Sequence, residues 1–287
     1  MKMEKEIDEY LNWKASYTQK ASSNYSLHLK RFSNYTKKDL EKISIADIVN
    51  FQLNLKTKYS MANVAYSMIV IKNFFLFYRK QGNACVDPFL IKVPKFTPHS
   101  HSTISNEEYE KMLKSLRSDE FWNIQKMVII KLLFETGMRV SELCDLNISD
   151  LDSTIPKALI ITKKNNKQRW IFWTEETHKL LMKYLGTRLC LNQKPALFIA
   201  SRKNRRDRIT TRTVQRWVKS ICLEAGIERK ISLHSFRHAK AHNILDKSGT
   251  VKDIQFILGH SENNPISAFS YLRLNSKESE KRAKMFL

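Results

Sequence analysis

The sequence predicts a mainly α protein with a small antiparallel β-sheet, arranged in two domains. Apolar residues recur at helical spacing through most of the chain. Only two short runs, 158–162 (Ala-Leu-Ile-Ile-Thr) and 170–173 (Trp-Ile-Phe-Trp), read as strands. Residues 86–102 hold three prolines and no helical period, so they read as a linker between a helical domain, 1–85, and a mixed domain, 103–287.

In the first domain a helix is expected over 3–20, with Ile7, Tyr10, Leu11 and Tyr17 on one side. Ser22 or Ser23 caps a second, through Leu29, Phe32 and Tyr35. Ser44 and Asp47 open a third, with Ile48, Phe51 and Leu55 at helical spacing. Ser60 begins a fourth, which passes Phe74, Phe75 and Phe77 and ends near Gly82. These aromatics read as core. Lys14, Lys30, Arg31, Lys56, Lys58 and Lys72 read as phosphate contacts. His99 and His101 fall in the linker and read as solvated.

The second domain opens at Ser105-Asn-Glu-Glu, a good helix start. An apolar helix through Val128 to Phe134 ends at Gly137, and Met138-Arg139-Val-Ser141-Glu142 starts another. Lys163 to Arg169 is the tip of a hairpin between the two strands, because Asn165-Asn166 tolerates positive φ. Helices are expected near 175–185, 210–225, 236–247, 250–258 and 265–272, and the tail from Ser276 to Leu287 reads as a short basic amphipathic helix.

The charge narrows the function. The chain carries 50 Lys+Arg against 28 Asp+Glu, a net charge of +22, and residues 1–97 alone hold 16 cationic and 8 acidic side chains. Both parts can therefore face a polyanion, as a nucleic-acid binder does. Cys85, Cys144, Cys190 and Cys222 form no CxxC pair and read as small buried hydrophobes of a reducing compartment. The N-terminus has no apolar signal core, and the stretch Met68 to Tyr78 is too short to span a bilayer. The expectation is a cytoplasmic protein with no membrane partner.

Chemistry concentrates between His234 and Tyr271. His234, Arg237, His238, His260 and Tyr271 fall within 38 residues. His234, His238 and His242 share a helical spacing that could hold zinc, but no carboxylate set or HExxH pattern accompanies them, so no metal and no cofactor is expected. Cutting and rejoining a nucleic-acid backbone without metal requires cations on the equatorial phosphate oxygens, and arginine forks suit them. A tyrosine hydroxyl needs a base or nearby cations to attack, and the leaving 5′ oxygen needs a proton. Two arginines, a lysine or histidine acid, a histidine base and a tyrosine make up the set.

Thr136-Gly137-Met138-Arg139-Val140-Ser141-Glu142-Leu143, the hairpin lysine, His234-x-x-Arg237-His238, Leu258-Gly259-His260 and Tyr271 run in the order of the tyrosine recombinase (phage integrase) family, which the chain resembles in its Xer-like, two-domain form. The resemblance implies a helical core-binding domain and an α+β catalytic domain. It implies that Arg139 and Arg237 hold the scissile phosphate and that Lys164 protonates the 5′ leaving group. It further implies His234 as proton acceptor, His260 as a phosphate hydrogen-bond partner, Tyr271 as nucleophile and Glu142 as active-site support. The hairpin reads Lys164-Asn-Asn-Lys167 where the family often has Lys-Gly-x-Lys, which leaves Lys163 and Lys167 as alternative acids. Tyr271 lies eleven positions after His260, about two more than the family's usual spacing, and the surplus falls at Glu262-Asn-Asn-Pro265.

The function implied is site-specific recombination through a 3′-phosphotyrosyl intermediate and a Holliday junction, with Lys163, Lys167 and Arg169 added to the DNA contacts. The partners implied are a double-stranded recombination site, three further copies in a tetramer joined through the C-terminal tail, and a second recombinase or accessory protein. Leu274, Ala283, Met285 and Phe286 are the tail's apolar positions. Two other readings compete: a non-catalytic DNA-binding accessory protein, and a type IB topoisomerase-like enzyme that relaxes supercoils without site preference.

Overall fold

The computed structural model describes residues 3–16, 22–96, 103–117, 119–162, 167–191, 194–200 and 207–259. The hairpin tip at 163–166, His99, His101, the expected helix at 265–272 and the tail lie outside them, as do Lys163, Lys164, His260 and Tyr271. The chain divides into two compact units, Met1–His99 and Ser100–Leu287.

The first unit is helical: α1 (Glu4–Ala15), α2 (Ser22–Thr36), α3 (Ile45–Lys56) and α4 (Met61–Lys80). Helix α3 starts where its cap dictates. The Ser44 hydroxyl accepts the Asp47 N–H at 3.2 Å, and the Asp47 carboxylate accepts the Ser44 N–H at 2.9 Å. Lys38 also bonds Asp47, and these partners hold its carboxyl down at about 2. Helix α4 is long and apolar enough by composition to cross a membrane, yet Val64, Met68, Phe74 and Phe75 are buried at the centre of this unit. Tyr10 packs edge-on to Phe74, and Phe32 to Phe51, so the aromatics form the core.

Part of the expected linker belongs to this unit. Asp87 caps a 3-10 turn at Pro88–Leu90 and pairs with Arg79, Ile91 is buried in the helical core, and the half-buried Val86 and Val93 pack against it. Prolines broke the helical period here, but the apolar residues between them still found a core.

The second unit contains α5 (Asn106–Ser115), α6 (Phe121–Thr136), α7 (Val140–Asp145), β1 (Lys157–Thr162), β2 (Lys167–Phe172), α8 (Glu175–Leu191), β3 (Ile199–Ala200), β4 (Asp207–Arg208), α9 (Thr211–Glu224), α10 (Leu233–Asp246) and α11 (Val251–Leu258). Strands β1 and β2 pair antiparallel, with Ala158 opposite Ile171 and Ile160 opposite Arg169. Strand β2 thus begins three residues earlier than its apolar run suggests. Lys167 and Arg169 are strand residues, not tip residues.

Helix α6 is the hub. Val128, Leu132 and Leu133 are fully buried, and the buried Gln125 amide exchanges two hydrogen bonds with Ile199 of β3. Tyr184 of α8 donates to the same Gln125 oxygen at 2.6 Å. The small second sheet, β3 with β4, is thereby tied to the core through satisfied polar groups.

Candidate active site

The site grows from the end of α6. Gly137 closes that helix at φ +63, the left-handed conformation glycine adopts without strain. A Cβ there would lie 2.6 Å from Leu258 Cδ2 and 2.9 Å from Lys240 Cβ, so glycine also lets α10 and α11 close on this turn. Two residues on, Arg139 is the N-cap of α7. Arginine has no acceptor to cap with. Glu142 does the capping instead, accepting the Arg139 N–H at 2.8 Å and the Arg139 Nη1 at 2.9 Å. At the other end of α7, Arg208 donates to the carbonyls of Cys144, Asp145 and Leu146 and to the Asn147 side chain. A cation on these helix-end carbonyls suits both their need for donors and the helix dipole.

Glu142 has a second cation. Arg169 bonds both its oxygens, Nη1 to Oε1 at 3.2 Å and Nη2 to Oε2 at 2.9 Å. The carboxylate is only 4% exposed. Burial pushes its pKa up, but the bond and charge of Arg169, then the backbone N–H and charge of Arg139, outweigh burial and bring it to about 2. Glu142 is therefore ionised at any ordinary pH.

Arg237, on α10, is 4% exposed. It donates from Nη1 to the Gly137 carbonyl at 2.9 Å and from Nη2 to the Leu258 carbonyl at 2.5 Å. Helix α11 ends at Leu258 with Gly259 in the left-handed conformation, as α6 does with Gly137. A Cβ on Gly259 would stand 2.7 Å from Arg169 Nη1. The chain of contacts therefore closes on itself, from Gly137 and Arg139 through Glu142, Arg169 and Gly259 to Leu258, Arg237 and back to Gly137. Segments up to 122 positions apart meet in one ring, and His260 follows Gly259 directly. His234 lies in the first turn of α10 and is exposed.

The structure thus brings together Arg139, Glu142, Arg169 and Arg237. Arg169, expected among the DNA contacts, has an 11% exposed side chain turned onto Glu142. In the first unit Lys30 is exposed, Arg31 stacks over the Tyr59 ring at 4.6 Å and Lys72 lies over the Phe89 ring at 5.9 Å.

Sequence reasoning missed Arg208, Lys240 and the polar face of α9. On that helix Arg212, Gln215, Arg216 and Lys219 are exposed opposite the buried Val214, Val218 and Ile221. Together with Arg229 and Lys230 they border a groove of about 620 Å³. The spacing of those cations was a readable signal, since cations three and four positions apart share a helical face.

A helical unit followed by this mixed unit is the fold of solved DNA recombinases. The chain superposes on XerH bound to palindromic difH in a post-cleavage complex with TM-score 0.77 at 22% identity, over 91% of this chain and 78% of that one. It superposes on a lambda integrase dimer bound to a COC′ core site with TM-score 0.75 at 18% identity, over 96% and 78%. Residues 102–278 match the phage integrase family, and the chain belongs to that family of tyrosine recombinases. The tyrosine recombinase XerC of Listeria innocua is 25% identical over 94% of this chain and 93% of its own length. XerA of Pyrococcus furiosus is 29% identical over 75% of this chain and 72% of its own.

Proposed function

We propose that the chain cuts and rejoins DNA at specific sites by transient attachment of a strand to Tyr271. The ring that joins Arg139, Glu142 and Arg237 carries this reading, because it fixes two arginines from distant segments around one turn. Arg139 and Arg237 hold the scissile phosphate and offset charge on its equatorial oxygens. The Tyr271 oxygen attacks phosphorus while the bond to the 5′ oxygen breaks. His234 accepts the tyrosine proton, Lys164 of the hairpin gives one to the departing 5′ oxygen, and His260 bonds the phosphate. Lys163 and Lys167 are the alternative donors. The 5′ hydroxyl of a partner strand reverses the step, releasing Tyr271 and forming a junction. Because the phosphotyrosyl bond keeps the energy of the phosphodiester, rejoining needs no nucleotide.

The DNA is double-stranded, and the basic faces of α9 and of the first unit, with Lys30, Arg31 and Lys72, suit its phosphates. XerH is solved on palindromic difH substrate and lambda integrase as a tetramer bound to a Holliday junction, which supports the same assembly here. The tail joins neighbouring copies, and a second recombinase or an accessory protein completes the complex in the cytoplasm. Tyr271→Phe is expected to bind DNA and form no SDS-resistant adduct with a nicked duplex. An adduct in that variant would remove Tyr271 from the role. Deletion of 276–287 is expected to weaken assembly of several copies on DNA more than binding of one copy, and equal losses would refute the tail's role.

A further inference from the structure

We propose that Arg169 is a positioning residue of the recombination site, which takes up the charge of Glu142 so that Arg139 keeps its own for the phosphate. The inference rests on the recombinase reading. Arg169 stands opposite Ile160 on the buried face of the hairpin, while its neighbours Gln168 and Trp170 are exposed. It therefore cannot track a DNA backbone as an ordinary surface cation would.

Its chemistry is directed inward on two sides. Its fork spans both oxygens of Glu142, the same two oxygens that accept from Arg139. One carboxylate between two guanidinium groups leaves a cluster of net positive charge. Without Arg169, Glu142 and Arg139 form a closed pair of zero net charge, and an arriving phosphate meets a compensated arginine. A buried carboxylate also draws Arg139 more strongly once Arg169 is gone. On the other side, a Cβ at Gly259 would meet Arg169 Nη1 at 2.7 Å and Cδ and Cζ at 3.1 Å. The guanidinium thus lies against the backbone that leads directly into His260. One side chain therefore contacts both the carboxylate that Arg139 shares and the backbone at Gly259, which precedes His260 in the sequence.

The probe is a nicked duplex recovered from a randomised library by SDS-resistant capture on the wild-type protein. Rates of single-turnover adduct formation and equilibrium binding are measured on that duplex. Arg169→Ala is expected to slow adduct formation roughly 10–100-fold, as loss of preorganised charge at a reacting phosphate does, with binding changed less than about threefold. Adding Glu142→Gln to Arg169→Ala is expected to recover about tenfold in rate, because the uncompensated carboxylate is gone. Arg169→Lys keeps a charge but cannot span two oxygens, so its rate falls between those of the wild type and Arg169→Ala. It carries the same comparison if Arg169→Ala does not fold. A wild-type rate in either single variant, equal losses of rate and binding, or a double variant no faster than Arg169→Ala overturns the proposal. If the wild-type protein captures no duplex, the recombinase reading itself fails, and that result precedes any substitution.

Discussion

Replacing Gly137 by alanine tests whether the turn before Arg139 is held by close approach. Two costs follow from the structure. The backbone at φ +63 disfavours a Cβ by about 1 kcal/mol. The new methyl would also stand 2.6 Å from Leu258 Cδ2 and 2.9 Å from Lys240 Cβ, and overpacking of this kind costs about 1–3 kcal/mol. The sum is about 2–4 kcal/mol, and for a unit of this size each kcal/mol lowers Tm by about 2–4 °C. Gly226 provides the control. It has φ +67, and nothing lies within 4 Å of its Cβ position, so Gly226→Ala carries the backbone cost alone. Thermal unfolding followed by near-UV circular dichroism should show Gly137→Ala losing roughly 5–15 °C and Gly226→Ala roughly 2–4 °C. Equal losses would refute the argument, because they would mean that α10 and α11 move away without cost. The same displacement would carry the Leu258 carbonyl away from Arg237, so Gly137→Ala should also lose adduct formation.

Two further outcomes follow from the charges in the site. The Glu142 carboxyl lies at about 2 in the folded protein against an ordinary 4.5, so its contribution to stability is complete above that ordinary value and is lost as pH falls toward 2. Between about pH 6 and pH 3 the wild type should therefore lose about 2 kcal/mol more stability than Glu142→Gln in urea titrations. An equal loss would mean that Glu142 is not the group that titrates. Arg208→Met removes four hydrogen bonds from the end of α7 and should cost about 2 kcal/mol in the same assay, whereas a loss below about 0.5 kcal/mol would show that water replaces them.

Local rules made part of this fold legible and long-range pairing decided the rest. Ser44 with Asp47 and Ser105 with Glu108 announce helix starts, and the structure has α3 and α5 beginning there with both halves of each capping box formed. Gly137 announces a helix end for the same local reason. Strand β2 was read too short because Lys167-Gln-Arg169 is polar. Its pairing with Ile160 to Thr162 comes from the partner strand, and no property of those three residues forecasts it. Helix α8 runs through Gly186 to Leu191, where Arg188, fully buried, donates to the carbonyls of Lys194 and Ala196. A buried arginine is invisible to a hydrophobic period. Strands β3 and β4 are two residues each, too short for any alternation to register, and Gln125 anchors them from 74 positions away. In the site, Arg139 and Arg237 were legible as candidates from residue type and motif. Their partners were not, because those are backbone carbonyls and a carboxylate already shared with Arg169.

The arrangement around Arg237 explains why two glycines appear in this site. The carbonyls it bonds belong to the C-terminal ends of α6 and α11, where each helix carries a partial negative charge. A buried guanidinium is costly without such partners, and two helix ends supply two of them. The kind of partner matters for chemistry. In the proposed role at a phosphate, a carboxylate partner would offset the charge of Arg237. Carbonyl dipoles orient the fork without adding a counter-charge of their own. Both helices must end within reach of one side chain, which requires an abrupt stop in each, and Gly137 at φ +63 and Gly259 at φ +65 make those stops. Gly137 and Gly259 are thus part of the electrostatics of the site, because they end two helices at a single cation.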